Sequence, residues 1–590
     1  MNRRALLSLF GTGSGLLLET RVTEAKNKNS AHRVVASEPK LTAVSPKGTP
    51  PPIRLYAMAP RVNSLDGKTV YLVDATHFDG SETLLMQMQA WFEQNMPTVK
   101  TVFRKKAGAY AADDTTLWAE IKTNAYATVM AIGHWGGCAP ATVSHCVTME
   151  KMGVPAIPMC TMAYKELADL TAARDGMPHL REIFTPHPVG GKTSAELAAY
   201  LVDPDPVSGI QIMKEIVEDL TRPLSADEMK AGTQSIAAGP AIYGPATADN
   251  LQELFMTNGM TDYLPIVIPT EKKVEAMLKG TSHSPDEVLR TPLQGVGYTS
   301  ARWGYTVRQV AVNAVMAGCR PEYFPVVLAM ASVGTLGLFG STTSSGSAIV
   351  INGPIRDKLD MNYGLGALSP FAHSNATIGR SWTLMGKNLT NAGILGDTYQ
   401  GSQGNQLDYN NCVIAEDEKN SPWAPLHVQF GYKAEENMLS LFGGPDIRQG
   451  AGARGAGAEP AMFDQQISYM CESMVGGSGA LAILDPLVAK RLVEQGYDSK
   501  EKLAEFVYKN TTRTVKDFKE SFLAPFHLYP LALQGREPYV SWYKLPDDTV
   551  IPFFPSAKQI NFVVCGGQAN AFFQIANMNH VRSESIDKWM

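Results

Sequence analysis

The segment from Gly133 to Pro140, which reads GHWGGCAP, contains the most reactive combination of residues in the chain. Gly136 and Gly137 permit a tight turn, and Pro140 suits the first position of a helix. Such a turn places Cys138 at a helix N-terminus, where free N–H groups and the helix dipole favour a thiolate. A thiolate is both a nucleophile and a metal ligand. We therefore expect Cys138 to be reactive; the alternative is a small buried cysteine that closes the turn.

Other histidines and cysteines follow neighbouring apolar runs in the same way. His77, His134, Cys160 and His187 each come just after a run of strand length. Because ligands bind at the carboxyl ends of parallel strands, we expect these side chains at one rim of a sheet. There Cys138 is the predicted nucleophile, and His134 or His77 exchanges its proton. Cys160 is either a partner thiol or a core residue.

The same residues offer ligands of the types that transition metals prefer. His134, Cys138 and Cys160 form a conceivable metal site by ligand type. However, no local C-x-x-C or H-x-x-x-H spacing accompanies them, and such spacing marks the stronger metal motifs. The sequence therefore requires no cofactor, and a transition metal stays an alternative.

The elements that must position this rim are strands alternating with helices. The apolar runs predict strands, and the segments between them show helical spacing or helix-forming composition. This alternation predicts a doubly wound α/β domain with a mainly parallel sheet. The predicted strands are 68–74, 98–103, 127–132, 154–159 and a short one near 183–184, and the predicted helices between them are 82–95, 113–123 and 140–152.

The run GHWGGCAPATVSHCVTMEKMGVPAIPM, preceded by LDGKTVYLVD, resembles the UGSC family of selenoproteins and their cysteine homologues over about residues 65–200. In that family a Sec-Gly-Ser-Cys motif follows a strand. By position, Trp135 takes the selenocysteine place, Gly136 and Gly137 take the Gly-Ser, and Cys138 takes the cysteine. The resemblance implies this fold and this site. With Trp135 in the first position, the motif lacks the second redox residue that dithiol cycling would need.

A second, larger α/β region is expected from residue 263 onward. Helices are predicted at 272–278, 306–318, 321–333 and 375–389, and strands at 265–269, 348–351, 411–415, 427–430, 439–442, 481–484 and 560–564. Asn375, as the N-cap of its helix, and Arg380 are candidate anion anchors. Cys319 is a second reactive candidate or a core cysteine at a helix end. The hydroxyl-rich run 340–347 is a surface loop or an anion cradle.

Length and composition limit the remaining possibilities. The chain has 590 residues, 44% of them hydrophobic, and a net charge of −5 without a basic block, so we expect no nucleic-acid partner. Seven cysteines in so long a chain do not form a disulfide scaffold. The pattern divides the chain into a leader and flexible arm (1–66), the first domain (67–202), a helical connector (203–262) and the second domain (263–590).

Residues 1–18 have the outline of a twin-arginine leader, although no A-x-A cleavage site follows. We expect a cytoplasmic protein, with export as the alternative, no stable membrane span and a homo-oligomeric state.

The predicted function is that of an enzyme acting on a small polar or anionic molecule through Cys138. Gly136, Gly137 and His187 are the expected substrate contacts near the cysteine, beside the anchors in the second region. The chemistry is thiol redox or of the lyase or hydrolase type. A metal-dependent enzyme and a non-catalytic thiol or metal sensor are the alternatives.

Overall fold

The N-terminal part of the chain contains two short strands before its first large sheet. The structure is a computed structural model that describes residues 38–294, 303–333, 338, 341–451, 462–475, 479–569 and 572–590. Strands β1 (Leu41–Val44) and β2 (Ile53–Leu55) lie in a segment for which the sequence predicts a flexible arm. From Leu41 onward this segment is therefore ordered structure.

The first large sheet has five parallel strands in the order β4-β3-β5-β6-β7. Its strands are β3 (Thr69–Asp74), β4 (Lys100–Lys105), β5 (Ala127–Gly133), β6 (Ala156–Thr161) and β7 (Ile183–Thr185). Because the chain leaves β3 for β4 on one side and then crosses to β5 on the other, β3 and β5 flank a topological switch point. Ligands of open α/β sheets bind at such points.

Helices cover both faces of this sheet, which confirms the doubly wound arrangement. They are α1 (Ser81–Asn95), α2 (Thr115–Asn124), α3 (Cys138–Lys151), α4 (Lys165–Arg174), α5 (Ser194–Val202) and α6 (Ile212–Thr221). Val70 and Leu72 pack in the core beneath α1, α5 and α6, whereas Tyr71 and Val73 pack beneath α2, α3 and α4. Alternate residues of one strand thus face two cores, as the period of a strand requires.

The predicted connector returns the chain to the N-terminal strands. It contains β8 (Gly232–Gln234), β9 (Ile242–Ala246) and α7 (Ala248–Thr257). Strand β9 pairs antiparallel with β1, and β8 pairs with β2. By their contacts, residues 40–590 form one compact unit.

The C-terminal region contains a second, mixed sheet of six strands, as the sequence predicts for a larger α/β region. The elements that lead into and through it are α8 (Glu271–Leu278), β10 (Val288–Arg290), β11 (Tyr305–Thr306), α9 (Val307–Ala317), α10 (Phe324–Ser332), β12 (Gly346–Asn352), α11 (Ile355–Lys358), α12 (His373–Leu389), β13 (Cys412–Ala415), α13 (Leu426–Gln429), β14 (Met438–Ala451), α14 (Phe463–Glu472), β15 (Ala480–Leu484), α15 (Pro486–Glu494) and α16 (Lys500–Asn510). The chain ends with β16 (Thr512–Thr514), α17 (Val515–Glu520), α18 (Tyr529–Leu533), α19 (Tyr539–Lys544), β17 (Val550–Pro552), β18 (Ile560–Val564) and β19 (Phe572–Ser585). The sheet order is β13-β12-β14-β19-β15-β18.

Three local predictions in this region are wrong. Residues 265–269 form no strand, because two of the five are prolines, which lack the N–H that a strand ladder uses. The predicted strand at 427–430 is the short helix α13, which follows Pro425. Helix α12 begins at His373 after Ala372, so Asn375 lies inside its first turn and is not its N-cap.

The longest pairing of the second sheet involves a strand that is not predicted from the sequence. Strand β19 lies at its centre and pairs antiparallel with β14 and with β15. Its sequence mixes apolar and polar residues, because one of its ends is buried and the other is partly exposed. None of the helices in the described part of the chain is long and apolar enough to cross a membrane.

Candidate functional site

Cys138 is the first residue of α3, directly beyond the buried strand β5. Its Sγ accepts hydrogen bonds from the backbone N–H of Trp135 at 2.9 Å and of His134 at 3.2 Å. The GHWGG turn thus wraps its own amides around the sulfur. Pro140 is the third helical residue and not the first, a position that is also tolerated because the first-turn N–H groups have no partner within the helix.

Two opposing effects act on the Cys138 thiol. Burial raises its pKa to about 11, whereas the surrounding backbone N–H groups act in the opposite direction. Burial is the larger effect. Helix N-terminal placement alone predicts a thiolate, but in this structure the resting group is a thiol, and a proton acceptor is needed to activate it.

His134 is held as a neutral imidazole at the end of β5. Its Nε2 faces the backbone N–H of Val189 at 3.0 Å and therefore accepts, which places the proton on Nδ1. Burial and the nearby His187 lower the pKa of His134 to about 4. The His134 ring stacks on Phe78 at a centroid distance of 4.1 Å and lies 4.6 Å from the His187 ring. The histidines after β5 and β7 therefore meet at one rim.

The side chain of His77, which follows β3, is held by polar contacts at the carboxyl ends of the strands. Its Nε2 lies 2.6 Å from the carbonyl of Lys106, and its Nδ1 lies 3.5 Å from the Asp74 carboxylate. Its ring packs edge-on against Tyr529 from the C-terminal region. Both ring nitrogens are thus occupied, an arrangement that favours a positioning role.

Close packing explains the glycines of the turn and the burial of Cys160. A Cβ on Gly133 would lie 2.4 Å from the Sγ of Cys160 and 2.7 Å from the Cα of Ala139. A Cβ on Gly137 would lie 2.6 Å from the hydroxyl oxygen of Tyr110. Cys160 is fully buried at the end of β6, and burial raises the pKa of its thiol well above the usual value. The Cys160 side chain therefore packs beneath the turn and is not exposed at the rim of the sheet.

A segment distant in sequence completes the site. Residues 522–527, just before α18, bring Phe522, Phe526 and His527 onto the turn that carries Cys138. Trp135 stacks on Phe522 at 5.3 Å and meets Phe526 edge-on at 5.5 Å. These rings form an apolar wall next to the cysteine.

Cys138 and this wall border a small cavity of about 40 Å³. We call it the thiol chamber; its lining residues are Thr76, Phe78, Tyr110, Trp135, Gly137, Cys138, Ser341, Thr342, Thr343, Phe522, Leu523, Phe526 and His527. Burial lowers the pKa of His527 to about 4, so its imidazole is neutral near pH 7. The His527 ring lies 5.2 Å from that of Tyr110.

The predicted anchors of the second region lie away from the thiol chamber. Arg380 pairs with Asp262 at 2.8 Å, and Asn375 bonds to the backbone of residue 362. Cys319 is buried with its Sγ donating to the carbonyl of Thr377, and burial raises its pKa to about 12. None of the three lines the chamber. Gly136 is buried within the turn and His187 is exposed, and neither of these predicted substrate contacts lines the chamber.

Sequence reasoning missed Tyr110, His527 and the aromatic residues at 522 and 526. No motif surrounds them, and they lie far in sequence from Cys138. The hydroxyl run predicted at 340–347 contributes Ser341, Thr342 and Thr343 to the chamber, while residue 340 lies outside the described residues. Its proximity to the cysteine turn carries no signal in the sequence.

The same side chains do not form a cluster of metal ligands in the described part of the chain. Within the ranges that the structure describes, no three His, Cys, Asp or Glu side chains come together in a way that could hold a metal ion. The described cysteines are all free thiols.

The fold and site define a doubly wound α/β domain with a cysteine at the topological switch point of its sheet. Residues 42–204 match the model of the UGSC family, which confirms the resemblance carried by the GGC turn and the helix after it. The match begins within β1, well before the segment at 65–200 in which the sequence resemblance is evident. Searches of curated proteins and of solved structures found no match.

Proposed function

We propose that the protein is an enzyme that uses Cys138 as a nucleophile toward a small molecule in the thiol chamber. The observation that carries this proposal is the position of the sulfur. It lies at the start of α3, accepts two backbone N–H groups and borders a cavity. A cysteine that merely closed a turn would not need to line a cavity.

A proton acceptor is required because burial raises the pKa of Cys138 to about 11. At pH 7 a thiol with that pKa is ionised in only about one molecule in 10⁴. His527 lines the same cavity, is neutral, and has no hydrogen bond to its ring within the described residues. Because its pKa of about 4 lies far below that of the thiol, it accepts the proton only as the sulfur–carbon bond forms.

The accepting nitrogen of His134 is already engaged by the backbone N–H of Val189. His77 donates from Nε2 to the carbonyl of Lys106 and directs Nδ1 at the Asp74 carboxylate, so neither nitrogen faces the thiol chamber as a free acceptor. We therefore assign proton acceptance to His527. His134 and His77 would instead position the groups around Cys138.

The proposed step is addition of the Cys138 sulfur to an electrophilic carbon of the substrate. A sulfur–carbon bond forms, the thiol proton passes to His527, and the electrons of the attacked double bond move to the substrate heteroatom. When the double bond re-forms, the bond to the substrate's leaving group breaks and that group takes the proton from His527. Water then attacks the acyl group held on the sulfur and returns the Cys138 thiol, which is hydrolase chemistry. Of the described cysteines, Cys138 alone lines the chamber, which favours this route over a dithiol redox cycle. The three-ligand cluster that metal-dependent catalysis would need is also missing from the described side chains.

Alkylation of the native protein with iodoacetamide, followed by peptide mass spectrometry, tests this assignment. We expect Cys138 to react faster than Cys146 and Cys160, because Cys138 borders the thiol chamber whereas the other two side chains are fully buried. Its rate rises with pH well beyond 8.5, since burial raises the pKa to about 11.

The variant His527→Gln tests the proton acceptor. Loss of a general base typically costs a factor of about 10² or more, so we expect the rate at pH 7 to fall at least about tenfold. His179→Gln, at an exposed histidine outside the chamber, is the matched control and leaves the rate unchanged. Equal alkylation of Cys138 and Cys160 would refute the nucleophile, and an unchanged rate in His527→Gln would refute the base.

A further inference from the structure

The thiol chamber adjoins a second, wider cavity of about 830 Å³. Trp135, Phe522, Thr342 and Thr343 line both cavities and so form their common wall. At about 40 Å³ the chamber itself holds only a small group beside the cysteine. The bulk of any substrate that reaches Cys138 must therefore lie in the wider cavity, which we call the outer cleft.

The outer cleft has an uncharged lining. Its described residues are Trp135, Tyr164, Thr342, Thr343, Ser344, Gln400, Ser402, Gln403, Gly404, Asn405, Gln406, Pro445 and Phe522. Side-chain amides and hydroxyls provide the polar groups, and three aromatic rings provide the apolar surface. An ionic ligand would lose its hydration here without gaining a counter-charge from these side chains.

Two ion pairs lie next to lining segments of the cleft. Arg174 pairs with Asp397, three residues before the lining Gln400, at 2.8 Å. Arg448 pairs with Asp446, next to the lining Pro445, at 3.0 Å. These charges are neutralised within the protein, so they do not supply an anchor for a carboxylate, phosphate or ammonium group.

Several polar groups in the cleft are available to a ligand. The hydroxyl of Ser344 is buried and has no hydrogen-bond partner among the described atoms. The amides of Gln403 and Gln406 are exposed, and no side-chain hydrogen bond engages them within the described ranges. Asn405, in contrast, is committed to the carbonyls of Ser344 and Pro445 and fixes the loop. The lining thus combines a fixed frame with free donors and acceptors.

We propose that the outer cleft binds an uncharged polyhydroxylated molecule of carbohydrate type, the recognised part of the substrate. Hydroxyl groups match the free amides and the Ser344 hydroxyl, which both donate and accept. The C–H faces of a sugar ring pack on aromatic rings such as Trp135 and Tyr164. The volume of the cleft lies within the range usual for small-molecule sites. This inference rests on the proposed function, because it places the recognised part next to Cys138.

Saturation-transfer NMR on the full-length Cys138→Ser variant tests binding without any chemistry. The probes are glucose, galactose and maltose, compared with their charged analogues glucuronate and glucosamine. We expect transfer to at least one neutral sugar and at least about fivefold weaker transfer to the charged analogues. The double variant Gln403→Ala/Gln406→Ala abolishes the transfer, whereas Gln465→Ala, an exposed glutamine on α14, leaves it unchanged.

Absence of transfer to every neutral sugar would overturn this inference, and so would equal transfer to the charged analogues or insensitivity to the glutamine variants. None of these outcomes bears on the alkylation of Cys138, which tests the proposed function separately. If sugars bind but Cys138 is not alkylated preferentially, the proposed nucleophile is refuted. The outer cleft would then remain a carbohydrate-binding site.

Discussion

At the residue scale, the environment of Cys138 combines two effects that oppose one another. The helix N-terminus and the N–H groups of the turn stabilise a negative sulfur, whereas burial favours the neutral thiol. Burial prevails, so the nucleophile that we propose needs a neighbouring base and is not a preformed thiolate. The glycines of the turn are what allow the sulfur to lie so deep.

Two alanine substitutions separate packing from reactivity in this turn. In Gly133→Ala the new Cβ would meet the backbone of Ala139 at 2.7 Å and the Sγ of Cys160 at 2.4 Å, and a backbone atom cannot move aside easily. We expect the free energy of unfolding to fall by about 1–3 kcal/mol or more. Urea denaturation followed by circular dichroism measures the change.

In Gly137→Ala the new Cβ would meet only the end of the Tyr110 side chain, at 2.6 Å. Tyr110 moves instead of the backbone, so we expect a loss of less than about 1 kcal/mol but an altered rate of Cys138 alkylation. Gly364→Ala, whose nearest neighbour would lie 3.8 Å away, is the control and changes neither quantity. Equal losses of stability in the two turn variants would contradict this account.

At the scale of elements, the second sheet is joined to its helices by a buried ion pair. Lys500, the first residue of α16, donates to Glu416, which follows β13, at 2.7 Å, and both side chains are buried. Glu416 also accepts from the side chain of Asn352 and the backbone N–H of Leu426. One carboxylate thus connects β12, β13, α13 and α16.

Removal of one partner of this pair is expected to be costly. Lys500→Met leaves the Glu416 charge buried without its cation, so we predict a loss of about 3–5 kcal/mol in the free energy of unfolding. Lys502→Met, on the same helix, breaks only an exposed pair with Asp498 and costs at most about 1 kcal/mol. Denaturant unfolding of both variants measures the difference, and similar losses would show that the buried pair is not important for stability.

At the scale of the whole molecule, the N-terminal domain and the C-terminal region build the site together. The N-terminal domain supplies Cys138, and the C-terminal region supplies His527 and the wall of the thiol chamber. A half-buried ion pair between Arg174 and Asp397 joins the two beside the outer cleft. Breaking the ion pair between Arg174 and Asp397 should therefore change the alkylation rate of Cys138.

A double-mutant cycle on Arg174→Ala and Asp397→Ala measures this coupling. We expect a coupling free energy of about 0.5–1.5 kcal/mol, because the pair is only partly buried. Each single variant also alters the alkylation rate of Cys138, since the loop that carries Gln400 loses its attachment. Lys192→Ala, which breaks the exposed pair with Glu196, is the control. A zero coupling energy together with an unchanged alkylation rate would contradict the role of this pair.

The sequence by itself determined the first sheet and the turn that carries Cys138. Buried strands such as 127–132 and the GGC turn have local signatures, because strand length, apolar runs and glycine turns are set by neighbouring residues. The same kind of local pattern wrongly predicted strands at 265–269 and 427–430. A short apolar run does not show whether a neighbouring strand is available to pair with it. Apolar periodicity indicates which face is buried but not what covers it.

Only the tertiary structure decided which imidazole, which aromatic wall and which cleft lie near Cys138. His527 and Phe522 lie almost four hundred residues further along the chain, and no local pattern marks them. Likewise Arg380, an attractive anchor by residue type, is neutralised by Asp262. A charge or an imidazole acquires its role from the groups packed against it, and those groups are brought together only when the whole chain folds.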